Sequence, residues 1–233
     1  MPSPWKLGVK SALRSALEGS LDRLGVERVD LYQIHGPISL RSHRALADAL
    51  AAVVHDGLAS AVGVSNYSVR EMEAIHGELA QRGVALASNQ IEYSILRRRP
   101  ENVGLIAACQ RLGVVPLAYS PIAQGRLTGK YSAANPPPGR RNFSSHPMEK
   151  TPRVVDELRA IGDRHDGRTP SQVALRWLVQ KGAVPIPGAK NAKQARENAG
   201  GLGWALTPDE VTRIDATALD GVRTLQSRVW QHG

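Results

Sequence analysis

At 233 residues, 42% of them hydrophobic, the chain is long enough to bury a sizeable core, and one domain over 1–233 is the default expectation. The net charge of +9 raises nucleic acid and membrane surfaces as partners, but it is dispersed. Its densest runs, Arg97-Arg98-Arg99 and Arg140-Arg141, have no interleaved aromatics, so a solvated basic surface is expected rather than a nucleic-acid site.

Cys109 is the only cysteine, which excludes an internal disulfide, and its place after the apolar run 105–108 predicts a buried thiol in a reducing compartment. The start, Met1 to Lys6, has no apolar signal core, and nowhere do about 18 apolar residues run together as a membrane span requires. A soluble, cytoplasmic protein is expected, in a plastid if the source is photosynthetic.

In chain order two periodicities alternate. Leu13, Ala16, Leu17, Leu21 and Leu24 fall at helical spacing, and Gly25 supplies a left-handed stop. The run 29–34 is short and β-rich, and a second helical stretch from Arg44 to Val54 closes at Gly57. A strand at 60–64 precedes a helix opened by the capping box Ser68/Glu71. A strand at 85–88 precedes a helix around 101–112, and 114–118 is a further strand. The Gly/Pro/Arg-rich segment 120–148 is a long loop or lid. A helix near 153–165, another begun by Thr169-Pro170, a strand at 183–186, a short helix at 192–199 and a last helix opened by Thr207 and Glu210 complete the series.

This alternation implies a parallel α/β sheet, doubly wound or closed into a barrel. Five strands are visible where a closed barrel has eight, and no strand leads into a G-x-G-x-x-G turn, which argues against the usual dinucleotide-binding fold. In parallel βα folds ligands sit at the C-terminal strand ends. Here those ends are polar: His35, Ser65-Asn66, Asn89-Gln90, Tyr119-Ser120 and Gly188 to Asn191. Ser65, Asn66, Gln90 and Tyr119 offer a hydroxyl, two amides and an aromatic face, a set suited to a planar carboxamide. The turn 120–127 can face a pyrophosphate, and Lys190 offers a point charge for a phosphate. His43 and His55 are too far apart for a metal site, and no G-x-S-x-G elbow or paired-Cys ligand set is present.

At these residues the chain resembles the aldo-keto reductases. Asp30-Leu31-Tyr32-Gln33-Ile34-His35, Val62-Gly63-Val64-Ser65-Asn66, Asn89-Gln90-Ile91-Glu92-Tyr93, Ala118-Tyr119-Ser120-Pro121 and Ile186-Pro187-Gly188-Ala189-Lys190 look like that family's successive signatures, in its order. The run from Gln124 to Tyr131 is similar to a subgroup with chloroplast and bacterial members. The resemblance implies a (β/α)8 barrel that transfers a hydride between NADP(H) and a small aldehyde or ketone. It implies Ser65, Asn66 and Gln90 on the nicotinamide carboxamide, Tyr119 stacked on the ring, and Ser120, Ile122, Gln124, Gly125 and Leu127 along the pyrophosphate. Lys190 and Asn191 would hold the 2′-phosphate, with Gln194, Glu197 and Asn198 toward the adenine, and Gly188 before them is a further cofactor-binding residue.

His35 matches the family's carbonyl-positioning histidine. The family's aspartate, proton-donating tyrosine and lysine have no counterpart here, and Lys6, between Pro2 and Pro4, is no substitute. About three strands of the barrel are therefore expected to be missing, as in a truncated reading of a longer protein. The alternatives are a non-catalytic NADP(H)-binding or regulatory subunit and, from the charge alone, a basic nucleic-acid-binding protein.

Overall fold

The computed structural model describes residues 9–37, 41–136, 148–222 and 225–231. Helix α1 (Val9–Leu24) buries Leu17 and Leu21 and ends at Gly25, whose φ of 67° is the left-handed stop. Leu24, at the same helical spacing, is 65% exposed in the last turn. Strand β1 (Val29–Ile34) leads through α2 (His43–His55) to β2 (Ala59–Ser65), and α3 (Val69–Ala80) leads to β3 (Leu86–Glu92). The Ser68/Glu71 capping box opens α3: the Ser68 N–H donates to Glu71 Oε2 at 2.8 Å and the Glu71 N–H to Ser68 Oγ at 3.4 Å.

β3 is longer than the apolar stretch 85–88 suggests. Asn89 and Gln90 lie within it, because Asn89 is buried with its amide bonded to the Tyr67 backbone, which compensates for a residue type depleted in strands. The helix expected over 101–112 divides into α4 (Arg99–Asn102) and α5 (Leu105–Leu112) at Gly104, with φ 78°. Strand β4 (Val115–Tyr119) follows, then a 3-10 turn at Ala123–Thr128, and then α6 (Thr151–Asp163) and α7 (Pro170–Gln180). The chain continues with β5 (Val184–Ile186), α8 (Ala192–Ala199), α9 (Pro208–Thr217) and α10 (Leu225–Trp230). Capping boxes at Thr169/Gln172 and Thr207/Glu210 open α7 and α9.

The five strands are all parallel and lie in the order β1-β2-β3-β4-β5. A doubly wound sheet reverses its order at a switch point, whereas an unbroken sequential order is that of a barrel, here present as five strands. Leu50, Met72, Ile75, Leu79, Val173 and Leu178 from the helices meet Val62, Val64, Ile91 and Ala118 from the sheet in one core. Among the described residues β1 pairs only with β2 and β5 only with β4. Val184 and Ile186 on β5 are 50% and 45% exposed.

The expectation of a solvated run at 97–99 is corrected. Arg97 is 1% exposed beside Glu92, and Arg98 is bonded to Glu101, since a turn closed by backbone bonds between Ser94 and Arg97 brings the segment back toward the end of β3. Cys109 is buried, as expected, and burial pushes its thiol up to about 12. Lys6, Arg140-Arg141 and 137–147 of the proposed lid lie outside the described residues. Among the described residues no helix is long and apolar enough to cross a membrane.

Candidate functional site

Successive strands deliver their last residues to one end of the sheet. Ser65 closes β2, and Asn66 follows it in the left-handed region at φ 62°. That turn is held from β3. The Asn66 N–H donates to the Gln90 carbonyl at 2.8 Å, and the Asn89 amide brackets Tyr67, accepting from its N–H at 3.4 Å and donating to its carbonyl at 3.0 Å. Below, a side chain on Gly63 would overlap Ser88 Oγ, so glycine is required for β2 and β3 to approach. Gln33 closes the floor with bonds to Ser88 Oγ at 3.1 Å and the Val64 carbonyl at 3.2 Å.

The side chains above this floor form a directed chain. Ser65 Oγ donates to the Gln90 carbonyl at 3.0 Å, Asn66 Nδ2 donates to Ser65 Oγ at 3.1 Å, and the Tyr119 hydroxyl donates to Asn66 Oδ1 at 3.0 Å. Burial, aided by Glu92, pushes the Tyr119 phenol up to about 12, so at neutral pH it keeps the proton it donates. The Gln90 side-chain amide makes no hydrogen bond to the described residues and stays open to the cleft it lines.

Two clefts run along this end. One of about 360 Å³ is lined by His35, Ser65, Asn66, Gln90, Tyr119 and Trp230, together with Ser120 and Gln124. The other, about 610 Å³, also contains Ser120 and Gln124 and extends past Gly125, Gly188 and Lys190 to Gln194, Glu197 and Asn198. The shared residues make them one trough. Of the five non-glycine residues with positive φ among those described, Asn66, Ser120, Ala123 and Gln124 line or adjoin it. Backbone strain of this kind persists where the surroundings over-determine it, and here it concentrates at the strand ends.

The far end of the trough has its own scaffold. Asn191 caps α8 by accepting from the Gln194 N–H at 3.0 Å, Gln194 Oε1 accepts from the Lys190 N–H at 2.7 Å, and Asn198 Nδ2 donates to the Gly188 carbonyl at 3.3 Å. The loop 188–191 is thereby fixed from the helix behind it. The Lys190 ammonium has no acidic partner among the described residues.

The structure thus brings together nearly every residue singled out from the sequence. Leu127 is fully buried in the core and does not line the trough, and Asn191 serves it through its cap rather than its wall. In the 3-10 turn the N–H groups of Ala123, Gly125 and Leu127 close on the turn's own carbonyls. His35 stands at the β1 end with its ring edge-on to Trp230, 5.4 Å between centroids. Thr128, Lys130, Tyr131, Ser171 and Trp230 also line the trough and were not assigned from sequence. Lys130 and Tyr131 fell inside a quoted motif, but Ser171 and Trp230 reach the trough only through the fold.

The chain matches the Aldo/keto reductase family over residues 2–218. It is 34% identical over 233 residues to the chloroplastic pyridoxal reductase of Arabidopsis thaliana, covering 98% of this chain and 63% of that protein. To the L-glyceraldehyde 3-phosphate reductase of Escherichia coli K12 it is 31% identical over 242 residues, covering 99% of this chain and 69% of that one. The glycerol dehydrogenase of Gluconobacter oxydans superposes with a TM-score of 0.78 at 29% identity, over 89% of this chain and 64% of that structure. The chain thus spans less than two thirds of the length of the plant relative.

Proposed function

The chain belongs to the aldo-keto reductase family, and on that premise we propose that its trough holds NADPH and serves the reduction of a small aldehyde or ketone beside His35. The observation that carries this reading is the continuity of the two clefts through Ser120 and Gln124, with a carboxamide-sized polar set at one end and, at the other, a lysine with no acidic partner among the described residues. When bound, the dinucleotide supplies the hydride.

The residues divide the work of holding it. Gln90, with its free amide, and Asn66, with a second N–H to offer, address the nicotinamide carboxamide. Ser65 has its proton engaged by the Gln90 carbonyl, so it can only accept from the ligand. Tyr119 supplies the stacking face. Lys190, at the start of the capped helix α8, addresses the 2′-phosphate, where the helix N-terminus adds to the ammonium charge. Gly188 has nothing within 4 Å of a notional Cβ, which leaves room for a ligand to approach its backbone. His35 orients the carbonyl oxygen.

Among the described residues the outer edges of β1 and β5 are unpaired, which supports reading these strands as part of a (β/α)8 barrel. Closing it needs three more strands, which in this reading also bring the family's tyrosine, lysine and aspartate. A specific observation favours a second reading, a non-catalytic NADP(H)-binding subunit: the cofactor side is built while only His35 represents the chemistry. Tryptophan quenching on NADPH addition, followed by carbonyl-dependent NADPH oxidation, tests both. Quenching supports the cofactor grip that both readings share, turnover by this chain overturns the non-catalytic subunit, and no quenching refutes both.

A further inference from the structure

The segment after α10 enters the site from 112 residues away in sequence. Gln231 is 3% exposed, and its amide meets three groups: Oε1 accepts from Arg97 Nη2 at 2.8 Å, while Nε2 donates to Glu92 Oε2 at 2.5 Å and to the Tyr119 hydroxyl at 2.8 Å. Arg97 cannot accept and the Glu92 carboxylate it pairs with cannot donate, so the Gln231 amide has one orientation. Because Tyr119 receives a proton from Gln231, its own proton must go elsewhere, and it goes to Asn66 Oδ1. That in turn leaves the Asn66 amide presenting N–H to Ser65 and to the cleft.

We propose that Gln231 is a positioning residue of the cofactor site: anchored by the buried Glu92–Arg97 pair, it sets the direction of the hydrogen-bond chain through Tyr119 to Asn66 and so the donor that Asn66 offers a carboxamide. The proposal rests on the reading of the trough as a nicotinamide site. Trp230 seats the segment against Gly36, where a notional Cβ comes within 2.7 Å of the indole ring and leaves no room for a larger residue. Without Gln231, the Tyr119 hydroxyl is free to donate toward Glu92, Asn66 loses the proton that fixes its amide, and Arg97 keeps only its pairing with Glu92.

The test measures binding of NADPH and of adenosine 2′,5′-bisphosphate, a fragment of the cofactor without nicotinamide, to the wild type, Gln231→Leu, Tyr119→Phe and the double variant. Gln231→Leu keeps the volume and removes all three polar contacts. The expected result is about tenfold weaker NADPH binding for each single variant, the scale of one buried hydrogen bond, with the double variant losing much less than the product of the two. Binding of the bisphosphate, confined to the far end of the trough, stays unchanged.

Unchanged NADPH binding by Gln231→Leu overturns the proposal, as do full multiplication of the two effects and an equal loss for the bisphosphate, which marks a merely structural residue. Gly36→Ala displaces Trp230 with Gln231 intact and keeps the test open should Gln231→Leu fold poorly. It is expected to weaken NADPH binding selectively, and an unchanged affinity contradicts the coupling to tail seating. A wild type that binds the bisphosphate but not NADPH overturns both the nicotinamide reading and this inference, whereas a wild type that binds NADPH beside an indifferent Gln231→Leu overturns the inference alone.

Discussion

The two ends of the trough are built to different degrees. At the β5 end, α8, its Asn191 cap, the bonds from Gln194 and Asn198, and Lys190 form a scaffold with few side chains left to place. At the β1 end His35 stands with Trp230 as its ring neighbour, on a strand in which no residue is fully buried. Binding groups rest on local structure, caps and turns that one βα unit can supply. The chemistry of a barrel draws on the ends of several strands, so it depends on more of the sheet than a single capped loop does.

The largest effect that can break this contrast is at Lys190. Lys190→Ala is expected to weaken NADPH binding by about 10- to 100-fold, the scale of a charge-assisted contact, and to leave NADH binding nearly unchanged. Parallel calorimetric titrations check it, and an equal loss for both cofactors removes the 2′-phosphate from the β5 end. Next comes the floor beneath Ser65 and Asn66. Gly63→Ala drives a methyl into Ser88 and is expected to cost about 1–3 kcal/mol of stability by overpacking, whereas Gly188→Ala, with open space around it, should leave the denaturation midpoint unchanged. Denaturant curves of the two variants sharpen the contrast between a rigid floor and an open rim.

A smaller effect is expected from acid. Burial works against ionisation of Glu210, but bonds from His165, the Thr207 N–H and Arg164 outweigh it and hold its carboxyl down at about 2. A carboxyl depressed on folding contributes stability above its ordinary value of 4.5 and loses it as pH falls from there toward about 2. The melting temperature of wild type should therefore drop over that window more steeply than that of Glu210→Gln. Because Glu210 lies on α9, away from the trough, cofactor affinity at neutral pH should be the same in both.

Much of the fold and of the trough's polar rim was legible because local rules place them. The Ser68/Glu71 and Thr207/Glu210 boxes, the Gly25 stop and the polar residues after each β-rich run depend on near neighbours in sequence. What stayed hidden depends on distance or on compensation. Gln231 meets Tyr119 across 112 residues and Glu92 across 139, a separation no periodicity reports. Arg97 looks like surface charge until Glu92 and Gln231 are seen beside it. β3 extends to Glu92 through polar residues because Asn89 finds partners in the Tyr67 backbone, and Gly104 divides a stretch whose apolar spacing is continuous.

Calorimetric titration of the wild-type chain with NADPH reads out whether the trough grips a nicotinamide dinucleotide by its two ends. The expected result is saturable binding at one site per chain, tighter than that of NADH if Lys190 meets the 2′-phosphate. A titration with no saturable heat for NADPH, or with equal affinity for NADPH and NADH, contradicts it.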